Sequence, residues 1–180
     1  MMSLKANVKA GSAALMSNLL ALDQSSHTTG YAIFKDGKLI KASHFTFNDE
    51  DLGVRLEKLR NKIIELINEN DINEVVFEDI QLQDVQGKKD VGIKTFKILA
   101  EVFGVVHELL TELKIDFHIV APIVWKATFK IAGKGRSQEK KMAQAHIKST
   151  YGLDCSEDEA DAACIGLHII HKQKSEFNWD

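Results

Sequence analysis

Apolar residues fall in short runs before residue 50 of this chain and at helical spacing through much of the remainder. Leu19-Leu20-Ala21-Leu22 is an apolar run that stops at Asp23, and Gly30-Tyr31-Ala32-Ile33-Phe34 comes after a polar stretch. Asp36-Gly37 then carries the signal of a tight hairpin turn, and Lys38 to Phe47 alternates loosely. Three consecutive antiparallel strands are predicted. From Leu52 to Asn70, residues Leu52, Leu56, Leu59, Ile63, Leu66 and Ile67 recur at the spacing of one helix face. Glu74-Val75-Val76-Phe77-Glu78 reads as a fourth, buried strand. A loop rich in Gln, Gly and Lys spans 81–92, and a long helix is predicted from about Ile93 to Leu113, with Phe96, Leu99, Ala100, Phe103, Val106 and Leu110 on one face. Asp116 to Val120 is a fifth strand. Pro122 opens a short helix at the position where proline is tolerated. Residues 133–137 form a loop, a helix opens at Ser137 without an acidic capping partner, and a last helix runs from roughly Glu157 to Lys174.

Three antiparallel strands followed by alternating helices and strands predict a mixed α/β sandwich. The strand between the two long helices should lie parallel to the first strand and be central, an order similar to that of ribonuclease H-like folds. The 180 residues, 44% hydrophobic and 27% charged, suit one full-sized domain over residues 16–180. Residues 1–15 are read as a flexible leader, either an expression scar or an upstream start. One proline and eleven glycines exclude a collagen-like or Pro/Gly-rich disordered chain. No apolar stretch is long enough to span a bilayer. Two cysteines, Cys155 and Cys164, make a disulfide framework improbable and a reducing cytoplasm the expected setting.

The net charge of −3 conceals an asymmetry. Between Ile123 and Thr150, Lys126, Lys130, Lys134, Arg136, Lys140, Lys141 and Lys148 face a single acid, Glu139. A net +6 there leaves −9 for the rest of the chain. Such a segment is either a solvated lysine-rich face or a placed basic patch.

Four carboxylates stand where an acid is unusual without a chemical role. Asp23 ends the first strand and Glu78 ends the fourth. Asp158 and Asp161, three apart, project from one face of the last helix, ahead of the apolar run Ala162 to Leu167. If the first and fourth strands are adjacent, all four acids meet at one end of the sheet. Like charges so placed do not all ionise cheaply without a cation. Oxygen-only donors suit Mg2+, or Mn2+ in its place. Two such ions about 4 Å apart can activate water and stabilise a leaving oxygen in phosphodiester hydrolysis. Each acid also has a plainer reading: a turn opener for Asp23, an exposed strand end for Glu78, and favourable helix-start charges for the aspartates.

Leu20-Ala-Leu-Asp23 with Thr29-Gly30-Tyr31-Ala32, Val75-Val-Phe-Glu78, Asp158-Glu-Ala-Asp161-Ala-Ala and the Gly135-to-Lys141 stretch together resemble the RuvC-type Holliday junction resolvases, over roughly residues 18–172. The resemblance implies a homodimer that nicks opposite strands of a four-way DNA junction, with two ions per active site. It implies Asp23, Glu78, Asp158 and Asp161 as metal ligands and catalytic residues. Lys126, Lys134, Arg136, Lys140 and Lys141 would contact nucleic acid, and Gly92 to Val106 would form a dimer helix. Two departures stand out. Gln24-Ser25 replaces the Pro-Gly that usually comes after the first aspartate, and Gln81 stands where an aromatic wedge is usual. They imply a more relaxed enzyme that also cuts fork-like DNA, similar to phage-encoded relatives, in the cytoplasm of a bacterium or an infected host.

Other residues are read more plainly. His27 is a turn residue, His44, His107, His118 and His146 are structural, and His168 and His171 lie too far along the last helix to ligate beside Asp161. Phe96, Leu99 and Phe103 are either a core stripe or a dimer seam. Trp125 is a half-buried anchor, and Lys88-Lys89 either reach DNA or sit in a solvated loop. Rival functions are a ribonuclease H-like nuclease acting on RNA or RNA–DNA hybrid, a non-catalytic branched-DNA-binding protein, and, for the Asp23-to-Gly30 hairpin, an ATP-binding lobe of the sugar-kinase/actin type.

Overall fold

The computed structural model describes residues 17–81 and 89–177. The expected leader and Lys88 lie outside them. Strands β1 (Leu19–Asp23), β2 (Thr28–Lys35) and β3 (Lys38–Thr46) form the antiparallel unit; β4 (Glu74–Glu78) and β5 (Asp116–Val120) come later in the chain. The sheet order is β3-β2-β1-β4-β5, with β4 parallel to β1 and β5 parallel to β4. The expected parallel neighbour is present, but β1 and not β4 is the middle strand. The β2–β3 turn places Asp36 and Gly37 at φ 50° and 68°, the two positive angles that a tight hairpin twisted with its strands requires.

Helix α1 (Leu52–Asn70) starts where the Asp51 side chain accepts the Val54 N–H at 3.0 Å and stops at Asp71 in the left-handed region. Helix α2 (Lys89–Leu113) begins four residues before the expected start. The Gln/Gly/Lys composition hid its first turn, which carries little apolar signal. Short α3 (Pro122–Thr128) is followed by α4 (Arg136–Tyr151) and α5 (Glu157–Phe177). α4 opens after Gly135, at φ 129°. Ser137 is therefore inside the helix and caps nothing; the Gln138 side chain instead accepts the Lys134 N–H at 2.8 Å.

Period-two alternation divides the sheet into two faces. Leu20, Leu22, Tyr31, Ile33, Val75 and Phe77 pack with α1 and α2 through Leu59, Ile63, Val102, Val106, Leu109 and Leu110. Leu19, Ala21, Ala32, Phe34 and Val76 pack against α5 through Ala162, Ala163, Ile165 and Ile169. Counting by twos, Asp23 belongs with Leu19 and Ala21, and Glu78 with Val76. Both strand acids thus point to the face covered by α5.

Two glycines set how closely α5 lies. A Cβ on Gly30, the β2 partner of Asp23, would overlap the backbone carbonyl of Asp158. A Cβ on Gly166 would overlap the Phe34 ring. The α5 axis can therefore lie against the β1–β2 pair only because both positions lack a side chain. No described helix is long and apolar enough to cross a membrane.

Candidate active site

At the carboxyl end of β1 and β4 a cavity of about 310 Å³ is lined by Asp23, Gln24, Glu78, Gln81, Trp125, Lys126, Arg136, Glu139, Lys140 and Asp161, among others. Three of the four expected acids line it. The fourth, Asp158, has its backbone carbonyl against Gly30, the β2 partner of Asp23; its side chain accepts a hydrogen bond from Lys140 Nζ at 2.9 Å.

The strand acids are fixed by the ladder. The β1–β4 register ends at Leu22↔Phe77, so Asp23 and Glu78 are the next residues of adjacent parallel strands. The buried Gln24 side chain continues the ladder beyond them. Its amide nitrogen donates to the Glu78 carbonyl at 2.6 Å, and its oxygen accepts the Glu78 N–H at 3.1 Å. The glutamine that departs from the family pattern thus locks the two strand ends together. Trp125, almost wholly buried, donates its indole N–H to Glu78 Oε1 at 2.7 Å. It is an anchor, fully buried where a half-buried one is expected, and it also orients an acid. Spacing along the chain signals neither contact, because both join segments that meet only in the folded protein.

Crowding shows in the acidities. Burial first, then the Glu78, Asp161 and Asp158 carboxylates, raise the Asp23 carboxyl well above the usual range, with Lys140 pulling the other way. Burial likewise raises Asp161, to about 6, against the lowering influence of Lys140 and Lys126. Glu78 is raised by burial against the Trp125 hydrogen bond. Replacing Trp125 by Phe removes the one factor that most lowers Glu78 while keeping the ring in the core. The expected result is a loss of about 1 kcal/mol in stability and an acidic limb of any pH–activity profile displaced to higher pH. An unchanged limb would show that the indole serves packing alone.

The basic residues separate into two groups. Lys134, Arg136 and Lys141 are exposed and line a shallow depression at the start of α4, and Arg136 also borders the acidic cavity. They form an outward rim. Lys126 pairs with Glu139 at 3.0 Å, which places the segment's only acid against one of its lysines. Lys140 leaves the rim altogether: its ammonium lies 2.9 Å from Asp158, 3.3 Å from Glu157 and 3.9 Å from Asp161.

Among the described residues no group of three His, Cys, Asp or Glu side chains is arranged to hold a metal ion. The donor chemistry nevertheless fits a hard divalent cation: the cavity offers carboxylate oxygens and no cysteine or histidine. Its acids are crowded, and at Asp23 the neighbouring carboxylates add to the effect of burial. The histidines play other parts, His44 beside Glu159 at 2.7 Å, His118 beside Glu74 at 2.6 Å, and His146 and His171 around the Phe129 ring. Cys164 is buried in the core and Cys155 half-buried.

Solved structures share this architecture. RuvC of Thermus thermophilus, in a complex with Holliday junction substrate, has a TM-score of 0.67 at 14% identity, covering 88% of this chain and 96% of that one. RuvC of the same organism in a second structure gives 0.64 at 15%, covering 87% and 96%. The chain has the RuvC fold. The yeast mitochondrial Holliday junction resolvase gives 0.58 at 15%, covering 91% of this chain and 82% of its own. By sequence, no family model and no curated protein matches, so the likeness to RuvC resides in the ribonuclease H-like arrangement of sheet and helices.

Proposed function

We propose that this protein is a structure-selective DNA endonuclease that nicks four-way junctions, and fork-like DNA as well, with a divalent cation, Mg2+ or Mn2+, held by Asp23, Glu78, Asp158 and Asp161. The observation that carries the reading is the meeting of strand-borne and helix-borne carboxylates at one sheet end, under a rim of exposed basic residues, on a fold shared with a RuvC solved on a Holliday junction. When bound there, a divalent ion supplies an acidified water and neutralisation of the charge that develops during phosphodiester hydrolysis. The chain does the rest. Lys134, Arg136 and Lys141 hold backbone phosphates, which fixes register without reading bases. Gln24 and Trp125 keep Glu78 in place, and Gly30 lets α5 bring its aspartates to the strand acids.

A homodimer is part of the proposal. The core face of α2 is Val102, Val106, Leu109 and Leu110, whereas Ile93 in its first half is exposed and Phe96 and Leu99 are only half-buried. That apolar half-face supports a second copy, and two sites related by a two-fold axis suit cuts on opposite strands. We place its action on DNA in the cytoplasm of a bacterium or a phage-infected host.

The test is an immobile four-way junction, a fork and a linear duplex incubated with the protein and Mg2+, with Asp23→Asn as control. Nicking of both branched substrates and sparing of the duplex is expected, with all cutting lost in the variant. Cleavage restricted to the four-way junction at one short sequence would sink the relaxed selectivity. Junction binding without cutting in either metal would point to an architectural protein, and cutting of RNA–DNA hybrid alone to an RNA-directed nuclease.

A further inference from the structure

Lys140 is the most unusual group in the cavity. It comes from the basic helix α4, yet its side chain is only 13% exposed and its ammonium is within ion-pair distance of Glu157, Asp158 and Asp161. A lysine on a solvated helix gains little from one surface pair. This one gives up most of its water to reach three carboxylates, and burial works against its charge while the Asp158 hydrogen bond holds the charge in place.

The four carboxylates therefore divide unequally. The helix-borne pair, Asp158 and Asp161, already shares a cation. The strand-borne pair, Asp23 and Glu78, has none within hydrogen-bonding reach among the described residues; the Glu78 carboxylate accepts from the neutral Trp125 indole, and the Gln24 amide holds only its main chain. Asp161 borders both halves, with Lys140 3.9 Å from its Oδ2 and the cavity shared with Asp23 and Glu78. Four acids taken alone imply two divalent ions, but that count leaves out a cation supplied by the chain.

Resting on the metal-dependent reading of this site, we propose that Lys140 is the resident cation of the helix-borne carboxylates, so that in the absence of DNA the site takes up one divalent ion, between Asp23, Glu78 and Asp161, and not two. The charge arrangement has three consequences. Removing the ammonium leaves Asp158 and Asp161 uncompensated and creates a second divalent position. Replacing it with the larger guanidinium preserves the charge and the single position. Asp23→Asn empties the strand-borne position and leaves the Lys140 pairs intact.

Mn2+ binding to the DNA-free protein, counted from the loss of the free-ion electron paramagnetic resonance signal, tests this directly. The wild type is expected to bind one ion per chain and Lys140→Met two. The second ion should bind at least about tenfold more tightly in Lys140→Met than any second ion in the wild type, since like charges a few ångströms apart repel strongly in a partly buried site. Lys140→Arg, which keeps the charge if the methionine variant fails to fold, is expected to bind one. Two ions in the wild type, or one in a folded Lys140→Met, would overturn the inference and leave the nuclease reading standing. No Mn2+ bound by any of these proteins would overturn the metal-dependent reading, and this inference with it.

Discussion

Asp23→Asn is expected to abolish cleavage and to make the protein more stable. Loss of one strand-borne ligand removes several kcal/mol of charge stabilisation, a drop of about three orders of magnitude in rate or more. The gain in stability has its origin in the same crowding. Asp23, half-buried at the strand end, is desolvated and crowded by Glu78, Asp161 and Asp158, which raises its carboxyl well above the ordinary value. An acid raised in the folded state destabilises the fold once it ionises. The penalty is absent below the unfolded carboxylate value of 3.8, where both states are protonated, and grows as pH rises through the folded one. Asparagine removes it. The variant should therefore melt a few degrees above the wild type at pH 7.5, at about 2–4 °C per kcal/mol for a chain of this size, and together with it near pH 4. Mg2+ should raise the wild-type Tm and raise that of the variant much less. A variant that melts lower than the wild type at pH 7.5 would mean that the Asp23 carboxylate is held by partners that outweigh its repulsion.

Gly30→Ala is the second large effect, and here stability and activity fall together. The new methyl group would meet the Asp158 carbonyl, a backbone atom with no rotamer to escape through. Either β2 or the start of α5 must shift. The expected cost is about 2–3 kcal/mol, or about 5–10 °C in Tm at the scaling for this size. The shift also displaces Asp158 and Asp161 from the strand acids, and a misplacement of about 1 Å can cost about a hundredfold in rate. Gly104→Ala is the matched control. No atom lies within 4 Å of a Cβ there, and the position is mid-helix in α2, so the same substitution should stabilise by about 0.5–1 kcal/mol. Equal melting temperatures for the two variants would remove Gly30 from the account of how α5 is seated.

Those glycines show where the sequence is readable and where it is not. β4, β5 and α1 are legible to the residue because each is a strong local pattern bounded by polar residues. The periodicity of α2 starts four residues late, because a first turn of Lys, Asp, Val and Gly offers a single apolar residue and no repeat to count. The four acids can be named from position alone: a carboxylate at the end of a buried strand contradicts its surroundings, and that contradiction is visible in one dimension. The inward turn of Lys140 is not visible there. A lysine among lysines reads as rim, and only the packing of α4 against the first turn of α5 decides otherwise. Gln24 and Trp125 belong to the same class, since their partners lie 54 and 47 residues away. Gly30 stands out in the sequence only for its place after a threonine; its reason is the helix that crosses it.

The strand register has a wider consequence. Asp23 and Glu78 come directly after the Leu22↔Phe77 pair of a parallel ladder, so their separation is set by main-chain hydrogen bonds and a single glutamine amide. A drift of α5 leaves that backbone spacing in place, although the Glu78 carboxylate still depends on the indole donated from α3. The helix-borne acids have no such guarantee, since any drift in α5 packing slides them. Mutational robustness is therefore split across the cavity. One half of the site rests on the ladder with Gln24 and Trp125, and the other half depends on two glycines remaining glycine.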